Sequence, residues 1–405
     1  MNIKNLGKVP KNPEYTVLFD NDRDYKGKIC HKTIHFHSIP LLPSKLYNKI
    51  LYNLMENKIP TFSDLKREVI DAGLCTLCGG CTSFCRENKL HAIDIMEGLP
   101  DYINEESCLE CGICYMICPV TEELNDKLEE LYGKGIGKIL EVYSARSTDE
   151  NILKVCCDGG VATSLLNYLL DIHYIDGALV VKRTKGGRSM PILATSYHEL
   201  LACAGASLAT VPNLDEIRYY STYTSLLPEL KEIAYGGMEN VALTGTPCQT
   251  KTVRKMQAVN ILPSGSIKFI IGLFCIENFS FDAISLSKFE EIIGGRLSDI
   301  ERVNIKEKMI IEFKDGSRKE IALEDLESVA RKACIKCKIP FSNIYADISL
   351  GGLGSEEGYT TVVIRTPEGK RLFEEALEEG HIEIHPEWNE EKKEEVINKI
   401  KEWTE

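Results

Sequence analysis

The chain has 405 residues, of which 43% are hydrophobic and 27% charged, and it carries a net charge of −13 at pH 7. That length has room for about two or three domains with packed cores. The acidic balance excludes a role that depends on a basic phosphate-binding surface, so no nucleic-acid partner is expected. No apolar run approaches the roughly 18 residues of a membrane span; the longest, Ile267 to Ile276, is broken by Lys268 and suits a buried strand. Sixteen cysteines, in a chain whose first residues form no apolar signal core, point to a reducing cytoplasm and metal–sulfur chemistry rather than a disulfide scaffold.

Residues 1–70 carry no cluster motif and read as an N-terminal extension that wraps the core or docks a partner subunit. Leu46, Ile50, Leu51 and Leu54 recur there at helical spacing across 45–57. Cys30, His31, His35 and His37 could be read as a metal site, but the alternation around Phe36 fits an ordinary strand or loop better.

Residues 71–125 hold the most specific signal. Cys75, Cys78, Cys81 and Cys85, then Cys108, Cys111, Cys114 and Cys118 before Pro119, repeat the bacterial-type ferredoxin spacing twice. In that arrangement three thiolates of a run hold one cubane and the fourth crosses to its neighbour. Cys75, Cys78, Cys81 and Cys118 are therefore expected on one [4Fe–4S] cluster, and Cys108, Cys111, Cys114 and Cys85 on the other. Zinc sites usually pair two CxxC knuckles instead. A polar helix over 121–132 closes the segment, and Gly133, Gly135 and Gly137 read as a hinge.

From about 140 to 385 strands and helices alternate, which predicts an α/β core. Strands are expected at 176–181, 240–244, 268–275, 346–350 and 361–365, and helices at 161–170, 249–256, 283–293 and 370–379. A hairpin turns on Asp315 and Gly316 between 309–314 and 318–322. Residues 386–405 form a charged amphipathic helix, read as a solvated surface element.

Four further cysteines come from three loops of this core: Cys248 at a strand-to-helix turn, Cys275 at a strand end, and Cys334 with Cys337 in a CxxC. Their spacing alone fits one [4Fe–4S] cluster or one structural zinc. Two turns are able to face phosphate. Asp158, Gly159 and Gly160 lead into a helix that contains Thr163, and Thr244, Gly245 and Thr246 precede one that contains Gln249. A third glycine turn, 351–355, follows a strand. Lys182, Arg183, Lys185 and Arg188 make a basic loop, either solvated or anion-binding. Cys30, Cys156, Cys157 and Cys203 read as free thiols, with Cys156 or Cys157 an alternative core ligand. No Gly-x-Gly-x-x-Gly follows a strand, which argues against a nicotinamide enzyme.

The series from Asp158 to Thr163, Gly245 to Gln249, Gly272 to Phe279, Cys334 to Cys337 and Ala346 to Gly351 resembles the beta subunits of coenzyme F420-reducing hydrogenase and F420-linked formate dehydrogenase. The ferredoxin segment resembles that of the family's longer members. The resemblance implies an α/β (α+β) FAD-binding core beside a 2[4Fe–4S] ferredoxin domain. It also implies a third [4Fe–4S] cluster on Cys248, Cys275, Cys334 and Cys337, and an origin in an anaerobic archaeon.

The implied activity is that of an F420 oxidoreductase subunit, in which hydride passes between F420 and FAD and single electrons pass through the clusters. Flavin contacts would be Asp158, Gly159, Gly160, Thr163, Thr244, Gly245, Thr246 and Gln249. Asn278 would neighbour the ring or the core cluster. Lys182, Arg183, Lys185 and Arg188 would meet the anionic tail of F420, and no side chain is required as a catalytic acid or base. Alternatives are a reductase of the same family acting on another acceptor, or a wiring subunit without hydride chemistry. The partner would be a redox enzyme of the hydrogenase, formate dehydrogenase, carbon monoxide dehydrogenase, heterodisulfide reductase or membrane dehydrogenase type. One departure stands out: Ala204 to Leu208 lacks the basic and aromatic residues of the family's stretch, while Tyr220 to Tyr223 follows as though after an insertion.

Overall fold

A computed structural model describes residues 15–20, 33–38, 59–183, 189–205, 220–221, 226–230, 233, 237–261, 264–281 and 283–404. The chain divides into two compact units, 1–59 and 60–405. In the first, β1 (Tyr15–Asp20) and β2 (Thr33–Ser38) pair antiparallel. His35 and His37 fall on β2, as the alternation around Phe36 leads one to expect. Cys30, His31 and the helix expected over 45–57 lie outside the described residues.

The second unit begins with α1 (Phe62–Leu65), which runs on as a π-helical turn, Lys66–Ile70. Thr61 and Asp64 close a capping box, so the start is encoded locally. The boundary expected at residue 70 therefore moves. Phe62, Leu65, Val69 and Ile70 are buried with Cys85, Ala92, Ile93 and Cys114, so residues 60–70 belong to the cysteine-rich lobe. That lobe continues with α2 (Gly80–Glu87), the hairpin β3 (Ile93–Met96) and β4 (Leu99–Tyr102), α3 (Ile113–Met116) and α4 (Asn125–Tyr132).

The glycine segment that follows is not a free hinge. Gly137 lies at φ +71°, and a Cβ there would stand 2.7 Å from Ile344 Cβ. The Arg365 guanidinium donates to the carbonyls of Ile136 (2.8 Å) and Lys138 (3.2 Å), which pins the turn to the core.

The core then runs through β5 (Glu141–Ser147), α5 (Glu150–Val155), α6 (Val161–Asp171), β6 (Gly177–Arg183), β7 (Ser189–Ala194), α7 (Tyr197–Leu201), β8 (Tyr220–Ser221), β9 (Val241–Gly245), α8 (Pro247–Ala258) and β10 (Ile267–Leu273). A subdomain follows, made of β11 (Ser280–Phe281), α9 (Ala283–Ile293), β12 (Ile300–Ile305), β13 (Met309–Phe313) and β14 (Arg318–Ile321). The chain returns through α10 (Lys332–Ile335), β15 (Ile348–Gly351), β16 (Thr360–Ile364), α11 (Pro367–Glu378), β17 (Ile382–Ile384) and α12 (Glu390–Glu402).

Eight strands make the central sheet in the order β17-β5-β16-β15-β10-β9-β6-β7. β6, β9, β10 and β15 pair parallel, and β16 joins β15 to β5 antiparallel on each side. Hence β5, β15, β10, β9 and β6 all point one way, and their carboxyl ends share one edge of the sheet. Both sheet faces are covered, which suits the apolar runs of β9 and β10. The subdomain has its own core around Phe279, Phe289, Met309, Ile311 and Leu326. α12 is charged on one side, yet Val396 and Ile400 are buried against Val142, Leu353 and Val363, so it is docked rather than fully solvated. No helix among the described residues is long and apolar enough to cross a membrane.

Candidate functional site

The eight ferredoxin-type cysteines gather round two cavities. One is lined by Cys75, Cys78, Cys81 and Cys118, with Val69 and Thr252 beside them. The other is lined by Cys85, Cys108, Cys111 and Cys114, with Phe62 and Ala92 beside them. Each cavity thus takes three thiols from one run and the fourth from the other, the crossover that the spacing demands. Local geometry explains it: Gly79 (φ +82°) and Gly112 (φ +73°) let each Cys-x2-Cys loop turn sharply into α2 and α3. The fourth cysteine of each run then sits further along, facing the other cavity.

Burial pushes the thiols of Cys75 and Cys111 up to about 11, and that of Cys78 up to about 12. Bare thiolates would be costly at such positions. Among the described residues no group of His, Cys, Asp or Glu converges tightly enough for a single metal ion. Four cysteines at each cavity, three from one run and one from the other, match the donor set of a cubane.

A third set lies at the carboxyl edge of the sheet. Cys248 occupies the first turn of α8, whose start is fixed by Thr246 as N-cap, Pro247 behind it, and Gln249 closing a capping box. Cys275 follows β10, its N–H donating to the Phe341 carbonyl (2.9 Å). Cys334 and Cys337 flank the end of α10, joined by a Cys337 N–H bond to the Cys334 carbonyl (2.9 Å). The Cys275 thiol is held well above its ordinary range by burial, and then by Cys248, Cys334 and Cys337, so all four thiols act on one another. Asn278 stands beside these cysteines, with its Nδ2 donating to Cys275 Sγ (3.5 Å). Glu277 beside it is half-buried, and burial raises its carboxyl to about 7.

One face of α8 connects this third set to the ferredoxin lobe. Cys248, Lys251, Thr252 and Lys255 fall at i, i+3, i+4 and i+7, which is one side of a helix. The Thr252 hydroxyl is 2.8 Å from the Cys248 carbonyl and 3.4 Å from Cys78 Sγ. Lys255, fully buried, donates to the carbonyls of Cys118 (2.6 Å) and Thr121 (2.8 Å). Burial pulls Lys255 down to about 7, with Lys251 adding to the effect, and burial lowers Lys251 as well. Arg331, also buried, points its guanidinium at the Cys75 carbonyl (3.4 Å). None of these three was evident from sequence. Once Cys248 is placed at a helix start, the i+3 and i+7 spacing of Lys251 and Lys255 is the signal that finds them.

The glycine turns meet at the same edge of the sheet, where ligands of open α/β sheets bind. The Gly159 N–H donates to Thr360 Oγ1 (3.0 Å). Gly160 (φ +70°) starts α6, and a Cβ there would stand 2.6 Å from Ile152. Asp158 is not free to meet a ligand alone. Its carboxylate pairs with Lys306 Nζ (3.0 Å) and accepts from Asn304 (2.8 Å), and it is raised by burial. Lys306 also donates to the carbonyls of Ser355 (2.9 Å) and Glu356 (3.0 Å), so it ties the Asp158 turn to the turn after β15. Thr163 is half-buried on the first turn of α6. Thr244 Oγ1 is buried without a hydrogen-bond partner among the described residues, which marks a place for a polar ligand atom. Gln249 is buried and its Oε1 accepts from the Thr246 N–H (3.0 Å). Lys182 and Arg183 end β6 on this edge; Lys185 and Arg188 lie outside the described residues, as do Ala206 to Leu208 and Tyr223. Cys156 is buried with its thiol donating to the Asp158 carbonyl (2.7 Å), away from the third set. Cys203 packs beside the core under the sheet.

Thiols grouped in fours at two neighbouring cavities define a dicluster iron–sulfur protein, and a 4Fe–4S dicluster domain model matches residues 67–119. Models for the N-terminal and C-terminal parts of the coenzyme F420 hydrogenase/dehydrogenase beta subunit match residues 142–218 and 238–390. The coenzyme F420 hydrogenase subunit beta of Methanosarcina barkeri is 33% identical over 62% of this chain and 83% of its own length. That of Methanococcus voltae is 32% identical over 61% and 84%. A coenzyme F420-dependent sulfite reductase of Methanocaldococcus jannaschii is 30% identical over 75% of this chain, which spans only 46% of that longer protein. Among solved structures, a chain of the F420-reducing [NiFe] hydrogenase complex from Methanosarcina barkeri superposes with a TM-score of 0.53 at 29% identity, covering 66% of this chain and 91% of that one. The chain belongs to the coenzyme F420 hydrogenase/dehydrogenase beta-subunit family.

Proposed function

We propose that this chain is the F420-oxidising or F420-reducing subunit of a larger redox complex, holding FAD and three [4Fe–4S] clusters. The observation that carries the reading is the shared sheet edge. The Asp158, Thr244 and Gly351 turns, the basic end of β6, and Cys248 and Cys275 of the third cysteine set all sit at the carboxyl ends of like-directed strands. A flavin there would couple two-electron hydride exchange with F420 to the one-electron chemistry of iron–sulfur clusters.

The chain's own residues supply placement and electrostatics. The α6 N-terminus with Gly159 and Gly160 offers amides and a helix end to a diphosphate. The orphaned Thr244 hydroxyl and the backbone of Gly245 and Thr246 would contact the ring, and Gln249 stiffens that turn through its capping bond. Lys306 would hold Asp158 and the turn after β15 in register around the ligand. Lys182 and Arg183, with Lys185 and Arg188 further along, would attract the anionic tail of F420. Cys248, Cys275, Cys334 and Cys337 would ligate the core cluster, and the two crossed sets those of the ferredoxin lobe. The electron partner would be another subunit of hydrogenase, formate dehydrogenase or a related redox type.

The test is anaerobic mixing of the purified chain with reduced F420 and, separately, with NADH, while flavin absorbance is followed. Bleaching by reduced F420 alone is the expected result. Bound flavin that reduced F420 leaves untouched would overturn the hydride assignment.

A further inference from the structure

The two ferredoxin cavities are unequal in charge. Lys255 Nζ donates to the Cys118 carbonyl (2.6 Å) and Arg331 to the Cys75 carbonyl (3.4 Å), Lys251 stands one turn before Lys255 on the same face of α8, and all three side chains are buried. No carboxylate among the described residues lies within ion-pair distance of Lys251 or Lys255. The same cations reach the third set, Lys251 acting on Cys337 and Arg331 on Cys275 and Cys334. The Cys85, Cys108, Cys111 and Cys114 cavity, outer in that the α8 lysines stand at the other, inner one, has the opposite surroundings. Cys85 feels Cys108 and Asp94, and the charges weighing on Cys111 and Cys114 are those of neighbouring thiols. Arg86, the cation near Cys85 in sequence, is already paired with Asp94.

Burying an ammonium group without a counter-ion is expensive. A cluster ligated by four thiolates is a buried anion that would offset it. Reduction adds one electron and one negative charge to a cluster, with no bond made or broken, so a neighbouring cation favours the reduced form.

Resting on the cluster occupancy proposed above, we propose that Lys251, Lys255 and Arg331 hold the potential of the Cys75/Cys78/Cys81/Cys118 cluster above that of the Cys85/Cys108/Cys111/Cys114 cluster. The inner position is then where an electron rests inside the chain. The outer cluster is the harder one to reduce, and it passes electrons only when the partner draws them or pushes them in. Lys255 and Lys251 are positioning residues: they set the order of the steps without touching substrate.

The test is an EPR-monitored potentiometric titration of the full purified chain, preceded by iron and sulfide analysis. Lys255→Met is expected to move one cluster's midpoint to lower potential by about tenfold or more in its reduction equilibrium, which is about 59 mV for a one-electron couple. Lys255→Arg restores it. Asp94→Asn is expected to raise a different cluster's midpoint. Should Lys255→Met lose iron, Lys251→Met, which breaks no bond to the ferredoxin backbone, gives the same reading. Midpoints that stay put in both lysine variants, or a Cys85/Cys108/Cys111/Cys114 cluster that shifts by as much as the Cys75/Cys78/Cys81/Cys118 one, overturn the proposal. A wild-type chain with iron and sulfide for fewer than two ferredoxin clusters overturns the occupancy it rests on, a separate and recognisable failure.

Discussion

The ferredoxin lobe and the α/β core stand at opposite ends of a scale of self-sufficiency. The lobe has short helices, a two-stranded hairpin, and a core in which Cys85 and Cys114 take the place of aliphatic side chains among Phe62, Leu65, Val69, Ile70, Ala92 and Ile93. The core has an eight-stranded sheet whose two faces bury long apolar sets, including Leu165, Leu169, Phe269, Leu372 and Phe373. A segment that small cannot bury enough apolar surface to offset its chain entropy. Packing of Phe84 and Ile117 on Met256 of α8 supplies part of the rest, and ligand bonds to iron would supply the remainder, as structural metals do in small domains. The core has no such need. One chain therefore joins a part whose fold depends on its cofactors to a part whose fold precedes them.

Stripping iron anaerobically with a chelator tests this contrast most severely. Amide protection over 60–119 is expected to collapse while β9, β10 and β15 keep theirs in hydrogen exchange; equal loss in both regions would break the contrast. Next in size is Phe373→Ala, which empties a fully buried site stacked on Tyr143. It should cost about 3–5 kcal/mol in denaturant unfolding of the core and leave the iron content unchanged. Smaller is Gly80→Ala, since a Cβ there would stand 2.3 Å from Thr252 Cγ2. Moving α2 off α8 should cost about 1–3 kcal/mol and slow electron passage between the proposed core cluster and the ferredoxin lobe, seen as lagging ferredoxin reduction in stopped flow. Least is Lys393→Met, which removes a half-exposed pair with Glu141 (2.7 Å) and should cost about 1 kcal/mol or less.

Legibility in the sequence follows the same division. The ferredoxin ligands are readable because the cluster imposes its spacing directly on the chain. The principal parallel strands are readable from their apolar runs, and Val161, Pro247 and Ala283 start helices close to where the pattern predicts. β5 escapes, because Glu141, Ser144, Arg146 and Ser147 mask a strand that pairs on both sides. α8 misleads most. Thr250, Lys251, Thr252, Arg254 and Lys255 look like a solvated face, yet all are buried. Burial there is decided by what docks from elsewhere: Asp347 receives Arg254 (2.9 Å), and the ferredoxin lobe covers Lys255. The residues of the glycine turns are legible only as turns. That Asp158 is tied to Lys306 and Asn304 depends on a hairpin far along the chain.

That hairpin belongs to the subdomain inserted between Cys275 and Cys334, and the insertion has a narrow neck. Phe279 and Ala330 pair as an isolated bridge, and the Arg331 N–H donates to the Asn278 carbonyl (2.8 Å). The chain therefore leaves and re-enters the core at one clasp, beside the cysteines it separates in sequence. Loop-closure entropy grows only slowly with length, so such a clasp tolerates inserts of very different size. In evolutionary terms the neck is a splice point. A lineage could exchange the whole cap, and with it the lysine that grips the Asp158 turn, without disturbing the spacing of the core thiols.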